Sequence, residues 1–525
     1  MDIQNFSALF NTPARCEAFL KLIKDNKTKH IFIQGLEGSS IALFFSNLLE
    51  HKQAHIIIAN DLDEAGYLYN DLVQINGNDH ILLFPSGYKR DIKYGQPDPP
   101  SEILRTEVLN RLCQKGESLL IVTYPEAIAE KVVPVNMLSE QTLHIDKNSK
   151  CDIITLSDKL RERGFEEVDY VYEPGQFAVR GSILDVFSYT NELPYRIDFF
   201  GKEVESIRTF EVETQLSTGK LEEVYIVANV CGQEVSGISI LDFIDKNTIL
   251  ICHNLSWVID RISTIASESL SEQTLIAEEG DRYAMQKIID VTAFQKKITT
   301  FRRIDYGASS EANAPAVIRF NCAPQGVYHK NFDLVSQSFS QFIEKGYTLY
   351  ILSDSEKQIE RLQAIFEERG DSISFTPVLK TLHEGFVDND LKIGCFTDHQ
   401  IFDRFHKYTL KSEHARSGKL ALSLKELNQI EVGDYIVHVD HGIGRFGGLI
   451  HTEINGKMQE VIKLTYQNDD IIFVSIHALH KLAKYRAKEG EAPRINKLGS
   501  GAWERMKEKT KGKMKEIARD LIKLY

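Results

Sequence analysis

The stretch Thr28-Lys-His-Ile-Phe-Ile-Gln-Gly-Leu-Glu-Gly-Ser-Ser-Ile-Ala42 predicts a β-strand, a glycine-containing turn and the start of a helix. A phosphate-binding loop of the form G-x-x-x-x-G-K-[ST] has this place between a strand and a helix. Gly35 stands at the first glycine position of that pattern, whereas Ser40 stands at the second. Ile41 replaces the lysine that contacts phosphate, and Ala42 replaces the hydroxyl residue that binds Mg²⁺.

Two interpretations of this loop follow from its residues. The chain either keeps a nucleotide-binding fold for another purpose or carries a turn that never bound phosphate. In both cases Gly35, Gly38, Ser40, Ile41 and Ala42 predict a degenerate phosphate loop without function in nucleotide binding. The acidic and histidine pairs elsewhere lie in predicted turns or at strand ends. We therefore expect no catalytic residue, no metal site and no cofactor in this chain.

The rest of the first 125 residues alternates short apolar runs with amphipathic segments, which is the pattern of a parallel α/β sheet. The predicted strands are Ile31–Gln34, His55–Ala59, Ile81–Phe84 and Leu119–Thr123, and the predicted helices are Phe44–His51, Leu62–Val73 and Ser101–Gln114. We predict a multidomain α/β and α+β protein whose first domain is a P-loop-type parallel sheet.

Changes of pattern along the chain predict its domains: a small α+β insert, a second small α/β domain, and a small antiparallel β-barrel followed by a long helix. The predicted ranges are 1–125 and 216–325 for the parallel-sheet domain, 126–215 for the insert, 330–410 for the second α/β domain, 411–427 for a linker, 428–495 for the barrel and 496–525 for the helix. The helix begins after Ser500, a candidate N-cap, and reaches Tyr525 without a C-cap, so we expect further protein beyond it.

The composition is that of a soluble globular protein, with 42% hydrophobic and 26% charged residues among 525. No run approaches the ~18 apolar residues of a membrane span, and the amino-terminal residues do not resemble a signal peptide. The seven cysteines include no C-x-x-C pair, which favours a reducing cytoplasm. We expect a cytoplasmic protein without membrane contact. The net charge of −13 disfavours a general nucleic-acid surface, although basic residues cluster after residue 480.

In the insert, Tyr195-Arg-Ile-Asp-Phe-Phe200 alternates its side chains between the two faces of a strand. The more apolar set, which begins with the tyrosine, is predicted to face the core, and this leaves Arg196 and Phe200 on the outer face. An exposed aromatic side chain beside an arginine is typical of a protein-binding hot spot. Arg180, in the predicted strand Phe177–Phe187, is a candidate to join them. The alternative is a surface arginine beside a half-buried phenylalanine.

Residues 428–476 predict two successive β-hairpins, which favour a small antiparallel barrel or a strongly bent sheet. The predicted strands are 434–439, 446–454, 459–466 and 471–476, with a tight turn at Asn455-Gly456. His438 and His441 raise the question of a metal site. Because strand alternation would direct them to opposite faces, histidines at a strand end are the favoured interpretation.

Two sets of motifs resemble a known protein family. Glu173-Pro-Gly-Gln-Phe-Ala-Val-Arg-Gly-Ser-Ile-Leu-Asp-Val-Phe187 and Leu193-Pro-Tyr-Arg-Ile-Asp-Phe-Phe-Gly-Lys-Glu-Val-Glu-Ser-Ile207 resemble the module shared by the excision-repair protein UvrB and the transcription-repair coupling factor (Mfd) family. Gly433-Asp434 with Val437-His-Val-Asp-His-Gly-Ile-Gly-Arg-Phe446 resembles the RNA-polymerase-interacting domain of Mfd and of CarD-type regulators. This order of motifs, behind a degenerate phosphate loop, favours the N-terminal half of the Mfd family over UvrB.

The resemblance implies two binding surfaces. Arg180, Arg196 and Phe200 match the surface by which the shared module recruits UvrA, which agrees with their predicted place on an outer face. The strand Leu449–Ile454 resembles the edge that pairs with the RNA polymerase β subunit. The contact residues implied there are Leu449, Ile450, Thr452 and Ile454.

The resemblance also implies a motor that this chain lacks. The helix from Trp503 resembles the connector to a translocase, and no G-x-x-x-x-G-K-[ST] sequence follows it. ATP, Mg²⁺ and most DNA contacts are therefore expected in the ATP-dependent translocase domains of the full-length family. The chain itself is expected to be an adaptor in transcription-coupled nucleotide excision repair and not an enzyme.

Two other functions stay open at this stage. One is a UvrB-like, nucleotide-dependent protein that binds damaged DNA. It is disfavoured by Ile41 and Ala42, and because Tyr88 and Tyr94 lead almost directly to the helix at Ser101 without a long aromatic hairpin. The other is a DNA-binding module that uses the basic tail, which strong salt dependence of DNA affinity would support.

Overall fold

The computed structural model divides the chain into two compact units, Met1–Leu143 with Asn229–Ser412 and His144–Ala228 with Glu413–Tyr525. Each unit is described by itself. The structure describes residues 1–25, 27–87, 99–114, 116–147, 149–191, 193–212, 215–228, 237–275, 288–308, 316–404, 406, 432–454, 457–475, 481–485, 493, 495–498, 501, 503 and 505–509.

The strands are numbered in chain order. They are β1 (His30–Gln34), β2 (Ala54–Ile58), β3 (Ile81–Leu83), β4 (Leu119–Thr123), β5 (Thr142–Asp146), β6 (Glu166–Glu167), β7 (Gln176–Arg180), β8 (Ile183–Val186), β9 (Tyr195–Phe200), β10 (Glu203–Phe210), β11 (Ser217–Leu221), β12 (Glu223–Val227), β13 (Ile249–Cys252), β14 (Arg302–Gly307), β15 (Ala316–Arg319), β16 (Cys322–Pro324), β17 (Thr348–Leu352), β18 (Thr376–Val378), β19 (Phe386–Asp388), β20 (Ile393–Thr397), β21 (Tyr435–His438), β22 (Gly442–Ile454), β23 (Lys457–Thr465), β24 (Ile471–Ser475) and β25 (Leu482–Lys484).

The α-helices are numbered in the same way. They are α1 (Ile3–Phe10), α2 (Pro13–Lys24), α3 (Ser40–Phe45), α4 (Leu62–Asn76), α5 (Pro99–Cys113), α6 (Pro125–Ala129), α7 (Val135–Glu140), α8 (Ile153–Glu162), α9 (Ile240–Phe243), α10 (Leu255–Leu275), α11 (Val291–Ile298), α12 (Phe332–Glu344), α13 (Glu356–Arg369) and α14 (Asp398–Ile401). Short 3₁₀ helices span Ser46–Glu50 and Gln467–Asp469.

A seven-stranded parallel sheet forms the centre of the first unit. Its strand order is β15-β1-β14-β13-β2-β4-β3, and every pairing described in it is parallel. Strands β4 and β13 are buried along their whole length, which is typical of a parallel sheet covered on both faces. The predicted parallel α/β sheet is thereby confirmed, and each of its four predicted strands is found within one residue of its predicted bounds.

A second, mixed sheet in the same unit has the order β16-β19-β20-β17-β18. Helices α12 and α13 pack on it through a core that includes Phe339, Phe366 and Phe396. The first two helices of the chain reach this sheet as well: the ring of Phe6 lies 5.1 Å from that of Tyr350, and α2 contributes an ion pair to Asp388. The amino-terminal helices therefore contact a domain more than 300 residues later in the chain.

The insert lies in the second unit and contains a six-stranded sheet of order β11-β10-β9-β8-β7-β6. Its borders in the structure, at residues 143/144 and 228/229, differ from the predicted 125/126 and 215/216. Helix α6, just after the first predicted border, packs against α10 and therefore belongs to the first unit. Strand β11, just after the second predicted border, pairs with β10 and therefore belongs to the insert. The predicted single strand Phe177–Phe187 is wrong, because Gly181, with φ +63°, turns the chain between β7 and β8.

The second unit also contains a five-stranded antiparallel sheet of order β24-β23-β22-β21-β25. Among the residues that the structure describes, β24 and β25 do not pair, so the described strands form an open sheet. The predicted turn Asn455-Gly456, the linker 411–427 and the terminal helix beyond residue 509 lie outside the described residues. None of the helices described combines the length and apolar character needed to cross a bilayer.

Candidate functional site

The degenerate phosphate loop follows β1, at the edge where parallel sheets place their ligand sites. Gly35 has a φ of +82°, and a Cβ atom there would lie 2.1 Å from the carbonyl oxygen of Phe320. The glycine is therefore required by the close approach of the segment after β15. Cys322 extends this contact, since its amide donates to the Gly35 carbonyl at 3.1 Å. One side of the loop is thus covered by the chain itself.

The residues at the positions that bind phosphate and Mg²⁺ in a functional loop make contacts within the protein instead. Ala42 is completely buried, and the hydroxyl of Ser40 donates to the Glu37 carbonyl at 2.7 Å and accepts from the Glu37 amide at 2.9 Å. Helix α3 has only six residues before it tightens into a 3₁₀ helix. The lysine position is therefore held by Ile41, and the Ser40 hydroxyl is bonded within the loop itself.

The other side of the loop is covered by residues 383–385. The Ser39 amide donates to the Glu384 carbonyl at 3.2 Å, and the Glu384 amide donates to the Ser39 hydroxyl at 2.9 Å. Gly38 has a φ of +54°, and a Cβ atom at this position would lie 2.9 Å from the Gly385 carbonyl oxygen. A backbone segment therefore lies directly against the loop.

Acidic side chains surround this contact. Asp71 of α4 is buried and accepts from the Ser39 hydroxyl at 2.5 Å; burial raises the pKa of Asp71 to about 7. Burial, together with the charges of Glu37 and Glu64, raises the pKa of Glu384 above its usual value. An added phosphate dianion would meet these carboxylates without a lysine to offset them.

The outer face of the insert sheet carries the residues expected to bind a protein. Cross-strand register aligns one row across five strands: Ala178, Asp185, Arg196, Arg208 and Lys220. The alternation predicted for β9 is confirmed, since Tyr195, Ile197 and Phe199 are buried. Phe200 is 79% exposed, which rules out the alternative of a half-buried phenylalanine.

Arg196 lies on the outer face but is not a free surface arginine. Its side chain is 13% exposed, and its guanidinium packs 4.3 Å from the ring centroid of Phe210. Nε donates to Asp185 Oδ1 at 2.7 Å, Nη2 donates to Oδ2 at 2.9 Å, and Nη1 donates to the Gln215 carbonyl at 2.9 Å. A small apolar cluster that includes Val171 and Phe210 covers this half of the face, so the outward direction of a strand residue does not expose Arg196.

Arg180 shares the same acceptor and is more accessible. It donates to the carboxylate of Asp185, is 34% exposed, and lies 4.9 Å above the ring of Tyr170. The three predicted residues therefore fall into two groups. The side chains of Phe200 and Arg180 are accessible to solvent, whereas that of Arg196 is largely buried in its contacts with Asp185 and Phe210.

The fourth residue of this arrangement, Asp185, was missed from the sequence. Its side chain is completely buried and binds both arginines. An acidic residue inside the apolar run Ile183-Leu-Asp-Val186 was the available signal, because a buried charge requires a charged partner.

The second candidate surface is the edge of β22. Its first part pairs with β21 through Gly442–Arg445, and its last part, Leu449–Ile454, pairs with β23. The register shifts between Phe446 and Leu449, where Gly448 has a φ of +93°. Within the described residues, no strand pairs with the other edge of Leu449–Ile454.

The four implied contact residues all lie on this segment. Leu449 is 36% exposed and Ile450 is partly buried. For Thr452 and Ile454 the structure describes the strand pairing, opposite Gln459 and Lys457, and no more. The evidence for this candidate surface therefore comes mainly from the strand edge, and only Leu449 and Ile450 add information on side-chain exposure.

His438 and His441 do come together, in contrast to the alternation argument. Their ring centroids are 4.6 Å apart, because the chain turns between β21 and β22. The ring Nδ1 of His438 accepts from the Asp440 amide at 3.0 Å, and burial lowers the pKa of His438 to about 4. Within the described part of the chain, no group of three or more potential ligands has the geometry of a metal site.

Comparison with known protein families gives a match for each of the two ranges that contain these surfaces. The model of the UvrB interaction domain matches residues 143–231, and the model of the CarD-like/TRCF RID domain matches residues 430–486. The first range contains Arg180, Arg196 and Phe200, and the second contains Leu449–Ile454. Each candidate surface therefore lies in a domain of known family.

Similarity to whole proteins extends beyond these domains. The transcription-repair-coupling factor of Staphylococcus aureus (strain MRSA252) is 25% identical over 568 residues, which cover 94% of this chain and 48% of that protein. The transcription-repair-coupling factor of Staphylococcus epidermidis (strain ATCC 12228) is 24% identical over 574 residues, 95% of this chain and 48% of that protein. The chain spans about half the length of the curated relatives it matches. With both domains in the expected order and similarity along nearly its whole length, the predicted resemblance to the N-terminal half of the transcription-repair-coupling factor (Mfd) family is confirmed.

Proposed function

We propose that this chain is the adaptor part of a transcription-coupled repair factor, which binds stalled RNA polymerase through one surface and recruits UvrA of nucleotide excision repair through another. The observation that carries the proposal is the presence of two different docking features in one chain. One is the edge of Leu449–Ile454, which none of the described strands pairs, and the other is the exposed side chain of Phe200.

The polymerase-binding role is supported by the form of the β22 edge. An extended segment of a partner that adds to Leu449–Ile454 would satisfy backbone groups that no described strand pairs. The irregularity between Phe446 and Leu449, where Gly448 has a positive φ, lies between the part of β22 that pairs with β21 and the segment Leu449–Ile454. We propose the RNA polymerase β subunit as that partner, from the CarD-like/TRCF RID match.

The UvrA-binding role is supported by the chemistry of the insert face. Phe200 offers a large apolar side chain, and Arg180 offers a guanidinium already oriented by Asp185. Arginine and aromatic anchors on an ordered surface dominate many protein interfaces. In this proposal Arg196 supports the site by holding Asp185 and does not itself contact UvrA.

We further propose that the chain binds and hydrolyses no nucleotide and needs no cofactor. The covered loop and the burial of Ala42 support this, and they disfavour the UvrB-like alternative. ATP, Mg²⁺ and most DNA contacts would belong to translocase domains of the full-length protein, which would displace the polymerase.

A three-component binding experiment tests the proposal. The immobilised β subunit of RNA polymerase should retain UvrA only when this chain is added. Phe200→Ala should leave the chain bound to the β subunit without UvrA. Ile450→Glu should remove both the chain and UvrA from the β subunit but leave the binding of the chain to UvrA in solution unchanged. If both substitutions left UvrA retention unchanged, the adaptor function would be wrong.

A further inference from the structure

We propose that His383–Gly385 act as a tethered ligand of the degenerate phosphate loop, so that the loop holds the second α/β sheet of the first unit and is closed to free anions. The loop is thus retained as an intramolecular docking site. This assigns a role both to residues 35–39 and to the domain after β16, and it is independent of UvrA and polymerase binding.

The first support is the pairing of backbone groups. Ser39 forms two reciprocal hydrogen bonds with Glu384, one from its amide at 3.2 Å and one to its hydroxyl at 2.9 Å. A phosphate loop uses the same kind of backbone donor to hold a phosphate oxygen. Here the Glu384 carbonyl oxygen is the acceptor instead, so the contact replaces an external ligand with a peptide group.

The second support is the side chain of Asp71, which bonds to both the loop and the tethered segment. Asp71 accepts from the Ser39 hydroxyl through one oxygen and from the His383 amide, at 2.7 Å, through the other. The carboxylate therefore joins the loop to the tethered segment across α4. Glu384 and His399 are the other ionisable groups whose charges act on Asp71. Ser39 and Asp71 together form a latch.

The third support is aromatic packing on the outside of the latch. The ring of His383 stacks on that of Tyr67 with centroids 3.5 Å apart and an angle of 11° between the planes. The Tyr67 hydroxyl donates to the His406 carbonyl at 3.0 Å, and His399 bonds to the His383 carbonyl at 2.8 Å. Every backbone polar group between the His383 amide and the Gly385 amide has a hydrogen-bond partner, so the segment lies against the loop without an unsatisfied backbone group.

The last residue of the tethered segment, Gly385, has no space for a side chain. A Cβ atom on Gly385 would lie 2.0 Å from Oε1 of Gln325 and 2.6 Å from the carbonyl oxygen of Cys395. The Gly385 amide donates to Gln400 at 2.7 Å. The second sheet therefore presents a rigid, preformed backbone to the loop, and opening must break the Ser39 and Asp71 bonds.

Hydrogen exchange of the full chain tests the latch. We expect Ser39→Ala to raise the exchange rates of the amides of residues 383–385 about tenfold, because a lost hydrogen bond of typical strength gives a change of this size. Amides of β17 should keep their wild-type rates. The matched control is Ser46→Ala, whose buried hydroxyl bonds only to its own helix at Leu43. Rates at 383–385 within twofold of the wild type would overturn the proposal.

Two further measurements keep the result unambiguous. If Ser39→Ala also accelerates exchange in β17, the milder Asp71→Asn is measured, which keeps an acceptor for the His383 amide. Selective opening at 383–385 then supports the latch, and equal opening of the whole unit overturns it. Inorganic pyrophosphate at millimolar concentration should leave exchange at 383–385 unchanged in the wild type, whereas release of the segment would mean that the loop prefers phosphate to its tethered ligand.

Discussion

Arg196 and Asp185 form a buried, two-pronged ion pair on the outer face of the insert sheet, with Nε–Oδ1 and Nη2–Oδ2 distances of 2.7 and 2.9 Å. Asp185 is completely buried, so its charge depends on Arg196 and Arg180. The pair lies on the same sheet face as Phe200, and Asp185 also binds Arg180. In our proposal, stability and recognition are therefore carried by neighbouring but different residues.

Arg196→Ala should destabilise the insert. Removal of Arg196 takes away two of the hydrogen bonds to the buried Asp185 and leaves Arg180 as its remaining charged partner, so we expect a loss of up to about 3 kcal/mol in the free energy of unfolding. Urea denaturation measures this change. Arg208→Ala is the matched control, since its pair with Asp198 is partly exposed and should contribute less than about 1 kcal/mol. Equal effects of the two substitutions would contradict the structural role of Arg196.

Phe200→Ala should weaken UvrA binding without loss of stability. The side chain is 79% exposed, so the free energy of unfolding should change by less than about 0.5 kcal/mol. If Phe200 is a binding anchor, UvrA affinity should fall at least about tenfold in a titration. Ile154→Ala, at an exposed apolar residue on α8, is the control and should leave the affinity unchanged. A similar fall for both variants would indicate general stickiness of the surface and not a specific site.

ATP–Mg²⁺ should give no binding signal in calorimetry, even at millimolar ATP. The double variant Ile41→Lys with Ala42→Ser should also fail to bind, because residues 384–385 still cover the loop. This variant separates two explanations of the lost function, missing side chains and a covered site. Saturable binding by the wild type in the micromolar range would refute our interpretation, and binding by the double variant alone would assign the loss to the side chains.

Ile450→Glu should weaken binding to the RNA polymerase β subunit at least about tenfold, since it places a charge on the strand that pairs with the partner. Surface plasmon resonance with the isolated β subunit measures the effect. Ile471→Glu places the same charge on the opposite edge strand, β24, where Ile471 is 45% exposed, and should have little effect. If only the control lowered the affinity, the contact would lie at β24.

Acid should destabilise the chain between about pH 6.5 and pH 4. Burial lowers the pKa of His383 and of His438 to about 4, from an ordinary value of 6.5. Between these values the unfolded chain binds more protons than the folded chain, so the free energy of unfolding falls as the pH falls. Each histidine contributes at most about 1.4 kcal/mol per pH unit.

Asp71 acts in the opposite direction. Its pKa is raised to about 7, so the folded chain keeps a proton that the unfolded chain loses above about pH 4. The contribution of Asp71 to stability therefore increases on acidification through this window. Asp71→Asn should make the acid-induced drop in the urea midpoint steeper. An unchanged slope in Asp71→Asn would show that Asp71 is ionised throughout.

Local periodicity was sufficient for much of this molecule. The strands of the parallel sheet, the inward set Tyr195, Ile197 and Phe199, and the exposed Phe200 all follow from which residues are apolar and how they are spaced. These features depend on the 2.0- and 3.6-residue repeats of strands and helices, which act over a few residues. The motifs around Arg180 and His438 were likewise enough to identify the family.

Contacts between residues far apart in the sequence determined which of the predicted surfaces are accessible. Whether Arg196 faces solvent depends on the segment near Val171 that packs over it, and whether the phosphate loop is open depends on Glu384, 345 residues beyond Ser39. The meeting of His438 and His441 depends in turn on where β21 ends. No periodic pattern encodes such contacts, because their free energy comes from hydrogen bonds and burial that exist only when distant segments meet. The amino acids defined which surfaces this chain offers, and its folding in space determined which of them remain accessible.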